Sequence, residues 1–283
     1  MRPVDALLAI TVAVVWGLGM VFAKAAINHF PPILLMALRF TLTAAVLVWF
    51  VRVPWAMLVR VFWIALVSAA IQYSLTFTGL AGLDASTAAL VVQLEVPFGA
   101  LLAWLVFGER LGWRRAGGMV VAFAGIALIS GTPKLAGSLG SLLLVVGGAF
   151  TWALGQIMIK RLGVSGGVEL IAWVAVFASP QLFLASWLFE DHQLAALRDA
   201  PPVVWIAVAY LGLVMTALGY AIWYRLITRH DVNQVMPFLL LLPVVTVAAG
   251  VAFLGEVLTP GVITGGALAI AGVALIIWPR AAR

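Results

Sequence analysis

The sequence predicts an all-α membrane protein: ten transmembrane helices, arranged as two inverted five-helix repeats, with both termini cytoplasmic. Three observations lead there. Of 283 residues, 65% are hydrophobic and 9% charged, against about a quarter charged in a soluble domain. A soluble chain this apolar would expose adhesive patches over its surface. The apolar residues fall in ten runs, each near the ~20 residues that cross a hydrocarbon core of about 30 Å as helix. Finally, the stretch WALGQIMIK at 152–160 rewrites WGLGMVFAK at 16–24, so the chain reads as built twice.

The ten runs cover 5–26, 31–51, 60–81, 85–107, 113–131, 137–160, 168–189, 202–226, 232–254 and 260–278. The first carries Trp16, Met20 and Lys24 on one face. Arg2, the apolar run and Ala23-Lys24-Ala25 imitate a cleaved leader, but the internal copy at Trp152 cannot be one, so the segment is read as structural. Pro31-Pro32 opens the second; proline suits a first helical turn because its missing N–H would be unpaired there anyway. The third holds Ser68, Gln72 and Thr76 at a spacing of four, hence on one face, with Tyr73 beside them. The fourth contains Glu95 and Pro97 and is followed by Gly108-Glu109; the fifth follows Arg114-Arg115. The sixth repeats the first, with Trp152, Gln156 and Lys160 on one face. After the seventh comes the longest connection, 189–201, too short for a soluble domain. Pro201-Pro202 opens the eighth, which carries Thr216, Tyr220 and Tyr224. The ninth is interrupted by Pro237 and Pro243 and followed by Gly255-Glu256; Pro260 opens the tenth.

The second halves of the copies agree best: GERLGWRRAGGMVVAFAGIALIS from Gly108 aligns without a gap with GEVLTPGVITGGALAIAGVALII from Gly255. The units are 1–135 and 136–283. Five crossings is odd, so the second unit enters the bilayer upside down. Many secondary transporters are built this way, with the substrate site near the midplane between the halves. Charge agrees. With the N-terminus inside, the inner segments hold twelve of the sixteen Lys and Arg, the outer segments three (Lys24, Lys134 and Arg198), and Arg39 lies within a span. That is the positive-inside bias.

Glu95 stands roughly 15 Å into the fourth span and Arg39 about 12 Å into the second, counted from the same face. A charge at that depth costs about 3 kcal/mol or more unless paired, protonated or hydrated. Three readings remain open: an ion pair locking two helices, a site for a substrate charge or a coupling proton, or two groups that do not face each other. The polar groups of the third, sixth and eighth spans read either as interhelical glue or as the lining of a central cavity. Together Trp16, Met20, Arg39, Gln72, Tyr73, Thr76, Glu95, Trp152, Gln156 and Tyr220 are the candidate substrate-binding residues. Aromatic walls with amide hydrogen-bonders suit neutral, partly apolar solutes. Pro97, Pro237 and Pro243 are candidate hinges. Glu109 and Glu256, at span ends, are candidate gates or helix-end caps. The stripes Gly118, Ala122, Gly125 and Gly265, Ala269, Gly272 allow close helix approach, within the chain or at a homodimer face.

Several classes are excluded. Net charge is +6, but the basic residues do not form a patch, so no nucleic-acid partner is expected. There is no cysteine, hence no disulfide or thiolate metal site. No Walker A motif, nucleophile elbow or His-Glu-x-x-His occurs. No enzyme, metal or cofactor is expected.

The five-plus-five spans, Trp16-Gly17, Arg39-Phe40, and a proline followed by Gly-Glu closing the fourth and ninth spans resemble the drug/metabolite transporter superfamily, and within it the EamA family, over essentially the whole chain. Within that family the chain looks most like the YddG-type amino-acid exporters. There are departures: Trp152 is followed by Ala153, no arginine in the second half matches Arg39, and the prolines do not superpose, Pro97 lying 12 residues before Glu109 and Pro243 lying 13 before Glu256. The resemblance implies a secondary transporter of the bacterial inner membrane, among membrane lipids, exporting small neutral metabolites, chiefly aromatic and other neutral amino acids, by alternating access. A passive channel, or an exporter of other metabolites or drugs, is the alternative.

Overall fold

The computed structural model describes residues 2–108, 111–131, 137–161, 167–230 and 235–277. Glu109 lies outside these, as does the side chain of Pro237. Of the described residues 87% are helical, and none is in a strand. The long rods are α1 (Pro3–Ile27), α2 (Pro32–Phe50), α3 (Trp55–Ala81), α4 (Ala85–Phe107), α5 (Trp113–Ser130), α6 (Leu139–Arg161), α7 (Val168–Phe189), α8 (Pro202–Trp223), α9 (Phe238–Leu254) and α10 (Pro260–Ile277). Proline occupies the first turn of α1, α2 and α8, where no hydrogen bond is lost. The 189–201 connection contains a short helix, Gln193–Asp199.

Eight of these rods are long and apolar enough to cross a bilayer, which makes this an integral membrane protein. The other two are α5, whose first turn carries Arg114 and Arg115, and α9, which is shorter. Exposed rings such as Trp49, Trp55, Trp113 and Trp187 stand near rod ends, the depth at which an amphipathic ring meets the headgroups.

Packing is pairwise. α5 lies on α10, α2 on α7, α1 between α8 and α9, and α6 between α3 and α4. The closest approach is α5 against α10. A Cβ placed on Gly125 would sit 2.5 Å from the Gly265 carbonyl and 2.6 Å from the Ala269 nitrogen. The glycine stripes therefore face each other inside one chain, not outward at a dimer face.

Four rods are irregular, two of them broken and two carrying a wide turn. α4 is two helices, Ala85–Val92 and Glu95–Phe107, joined by tight i→i+3 turns in which Leu94 N–H donates to Val91 O at 3.0 Å and Val96 N–H to Gln93 O at 3.1 Å. Pro97 explains the break: it has no N–H to offer Gln93 O. A 3₁₀ turn, Met236–Leu240, leads into α9, which becomes α-helical at Leu241. Aligning Gly108 with Gly255 puts Gln93-Leu94 opposite Leu240-Leu241, so the breaks coincide although the prolines are one residue apart. α3 and α8 each contain a wide π turn, Leu66–Ile71 and Tyr210–Leu218, an irregularity that often sits beside functional groups.

Candidate functional site

Between the rods lies a cavity of about 810 Å³. All ten residues singled out from the sequence as substrate-binding line it, each delivered by a different local cause. On α1, Trp16 donates its indole N–H to the Met215 carbonyl at 3.0 Å, within the wide turn of α8. Its ring packs against Tyr220 (centroids 4.9 Å) and Trp223 (5.7 Å). One turn on, Met20 adds a flexible thioether.

On α3, the wide turn decides which polar residues reach the cavity. Ser68, Gln72 and Thr76 would share a face in a regular helix. The extra residue in the π turn shifts the phase between Ser68 and Gln72. Ser68 packs against Gly155 of α6 and donates to its own Ile64 carbonyl at 2.7 Å. Gln72 and Thr76 line the cavity instead, joined by an Nε2–H bond to Thr76 Oγ1 of 3.0 Å. Gln72 is buried, and its Oε1 has no partner. An unmet acceptor at a cavity wall is an invitation to a donor.

Arg39 is fully buried. Its Nε–H donates to Thr216 Oγ1 at 2.8 Å, Nη2 reaches the Tyr73 hydroxyl at 3.4 Å, and Nη1 reaches Met36 Sδ at 3.8 Å. The guanidinium carbon stands 4.7 Å from the Tyr73 ring centre and 5.4 Å from that of Phe40. Arg39 and Glu95 make no ion pair. The locked-pair reading fails because the Arg39 fork turns toward α8 and α3, whereas Glu95 projects from the break in α4. Glu95 is half-buried, lines the same cavity, and makes no hydrogen bond among the described residues.

Thr216 is the anchor of this arrangement, accepting from Arg39 while donating to Leu211 O at 2.7 Å. Thr216→Val is expected to lower stability by about 1–3 kcal/mol, because it strands a charged donor in a buried place. Tyr73→Phe, which loses only the longer contact, is expected to lower it less. Thermal melting of the detergent-purified protein compares the two.

The α6 wall adds Trp152, Gln156 and Lys160. Among the lining residues that escaped the sequence reading are Met215, Trp223 and Gln93. The signal for Trp223 is its place three residues after Tyr220; nothing marked the other two.

The two ends of the cavity differ. At one end it reaches Gly112, Trp113, Arg114, Arg115 and Lys160, and Trp113 is 84% exposed, so the cavity opens there. At the other, side chains clasp helix ends. Glu256, after α9, accepts from the Ala85 N–H (2.5 Å), the Ser86 N–H (3.0 Å) and the Ser86 hydroxyl. These are the unpaired amides at the start of α4, where an anion is favoured. Lys24, ending α1, donates to the Leu80 and Ala81 carbonyls at 2.9 Å, the mirror-image cap at the end of α3. Glu190, after α7, accepts from the Ile33 and Leu34 amides at 2.6 and 2.9 Å; this cap was not anticipated. Among the described residues no cluster of His, Asp and Glu could hold a metal ion.

Comparison with known proteins bears on what such a cavity is for. The EamA-like transporter family matches residues 5–131 and again 139–278. A protein of Salmonella typhimurium described as "Probable amino-acid metabolite efflux pump" is 33% identical over 278 residues, 95% of this chain and 93% of that one. Its namesake in Escherichia coli is 31% identical over the same shares. A "Probable terminal-alkyne amino-acid exporter" of Streptantibioticus cattleyicolor is 32% identical over 68% of this chain and 64% of its own. A solved crystal structure superposes with a TM-score of 0.65 at 21% identity, covering 97% of this chain and 96% of that one. That likeness concerns the fold.

Proposed function

We propose, for a chain that belongs to the EamA-like transporter family and is a transporter rather than an enzyme, export of small neutral metabolites, chiefly aromatic and other neutral amino acids, across the bacterial inner membrane by alternating access. One observation carries this reading: a cavity of about 810 Å³, walled by Trp16, Tyr73, Trp152, Tyr220 and Trp223 with polar side chains such as Gln72, Thr76 and Gln156 set among them, open at one end and closed at the other. Its size and mixed lining suit an amino-acid-sized solute with an apolar side chain. The relatives described as amino-acid efflux pumps or exporters support the substrate class.

Ten crossings in two inverted units, 1–135 and 136–283 with cytoplasmic termini, remain part of the proposal. Three things support them: the family matches twice along the chain, the breaks in α4 and α9 fall at corresponding residues, and the packing respects the exchange. Replacing each helix by its copy turns "α1 between α8 and α9" into "α6 between α3 and α4", and both occur. Such exchange gives two states of similar energy, one closed at each end. A permanently open channel fits less well, because the end held by Glu256 and Lys24 is shut.

Proteoliposomes loaded with labelled amino acids test the reading. Aromatic and large aliphatic amino acids are expected to leave several times faster than from protein-free vesicles, with saturation and with acceleration by unlabelled substrate on the far side. No excess efflux across a broad panel would refute the substrate class, and linear flux without trans-acceleration would refute alternating access.

A further inference from the structure

We infer that the cavity recognises the α-amino-acid zwitterion itself through two separate poles, Arg39 taking the carboxylate and Glu95 taking the ammonium group; this rests on the export reading above. An arginine stays charged at any accessible pH, and a lone charge at mid-membrane is costly. Evolving proteins usually meet that cost by pairing the charge inside the chain. Arg39 is not so paired: its partners are all neutral, a threonine hydroxyl, a tyrosine hydroxyl, a thioether and the Tyr73 and Phe40 rings. Glu95 has neither a hydrogen bond nor an ion pair among the described residues. Both line one cavity, yet they do not neutralise each other.

Two unmatched opposite charges lining one cavity ask for a ligand that is neutral overall and carries both signs. The bond from Arg39 Nη2 to the Tyr73 hydroxyl is long, 3.4 Å, and is the one a carboxylate replaces. Once displaced as an acceptor, the Tyr73 O–H can donate to the same carboxylate, so the exchange leaves no buried donor stranded. Thr216 keeps the guanidinium oriented through Nε. At the other pole the ammonium group meets Glu95, and Gln72 Oε1, which has no partner, lines the same cavity as a further acceptor. The aromatic side of the cavity, Trp16 with Tyr220 and Trp223, is left for the substrate side chain.

The test is competition against bound radiolabelled L-phenylalanine on the purified full-length protein. 2-Phenylethylamine lacks the carboxylate and 3-phenylpropionate lacks the amine; each is expected to compete on the order of a hundredfold more weakly than phenylalanine, the scale set by leaving a buried charged group unmatched. Glu95→Gln is expected to shrink the penalty against 3-phenylpropionate to about tenfold or less while keeping the penalty against 2-phenylethylamine. Arg39→Gln is expected to do the reverse. If Arg39→Gln fails to fold, the wild-type competition and the half-buried Glu95→Gln still decide. If either analogue competes within about threefold of phenylalanine in the wild type, the two-pole assignment is wrong although the protein remains an amino-acid exporter. If no amino acid binds and none is transported, both readings fall.

Discussion

Gly272→Val is expected to unfold or badly destabilise the protein, although Gly272 touches no candidate substrate. A Cβ there would run into the Ala122 nitrogen and lie 2.5 Å from the Gly118 carbonyl. Both are backbone atoms of α5, which cannot move aside as a side chain end can. Relief requires α5 and α10 to separate along their length, and Gly118, Gly125 and Gly265 repeat the same contact. Overpacking a close-packed interior costs typically 1–3 kcal/mol; a branched side chain against backbone is placed at or above ~3 kcal/mol on the same scale. The damage reaches the cavity, since Val273, Ile276 and Ile277 of α10 line it. Gly147→Ala is the matched control: its Cβ meets only Leu75 Cδ1, at 3.5 Å. It is expected to leave the melting temperature unchanged or slightly raised, because alanine favours helix over glycine by up to about 1 kcal/mol. Size-exclusion profiles and thermal melts of the two variants decide. A well-folded Gly272→Val with native melting would show that α5 and α10 are not held as described.

The same contrast shows what was legible in the sequence. Length, composition and proline placement fixed the rods, because the bilayer allows few solutions: a helix must reach across about 30 Å and satisfy its own backbone. Depth was legible too. Each residue advances a helix by about 1.5 Å, so Trp16, Gln72, Glu95 and Trp152 could be placed well inside their spans, and all line the cavity. Azimuth was not legible wherever a helix departs from regularity. Ser68 was assigned to the face of Gln72, and one wide turn between them, Leu66–Ile71, turned it to α6. Direction across space was not legible either. Arg39 and Glu95 share a depth, but Thr216 on α8 captured the Arg39 fork from 177 positions away. Nothing local announces such a partner. The glycine stripes were visible, whereas their target, each other, emerges only from packing.

Glu256→Ala is expected to release the closed end of the cavity. In the closed arrangement its carboxylate holds two backbone amides and a hydroxyl at the start of α4, while its own chain continues from α9, whose break matches that of α4. The clasp therefore joins the two interrupted helices at one face. Hydrogen bonds to a charged acceptor contribute about 1.5–3 kcal/mol each, and the amides regain water when the clasp opens, so a net bias of about 3 kcal/mol is a reasonable scale. Removing it shifts the ratio of closed to open on the order of a hundredfold. The chain has no cysteine, so a single Met20→Cys at the cavity wall reports access cleanly. In Glu256→Ala, an impermeant thiol reagent applied from the face that carries Glu256 is expected to label that cysteine far faster than in the wild-type background. Glu256→Gln, which keeps an acceptor but loses the charge, should fall between. If folded Glu256→Ala protein labels no faster, Glu256 is a helix cap and not a gate. Glu109 occupies the corresponding place after α4 by sequence. If the two halves are inverted copies, Glu109→Ala must act with the opposite sign, slowing labelling from the Glu256 face in any background where both states are populated. A shared direction for the two variants would refute the inverted symmetry proposed above.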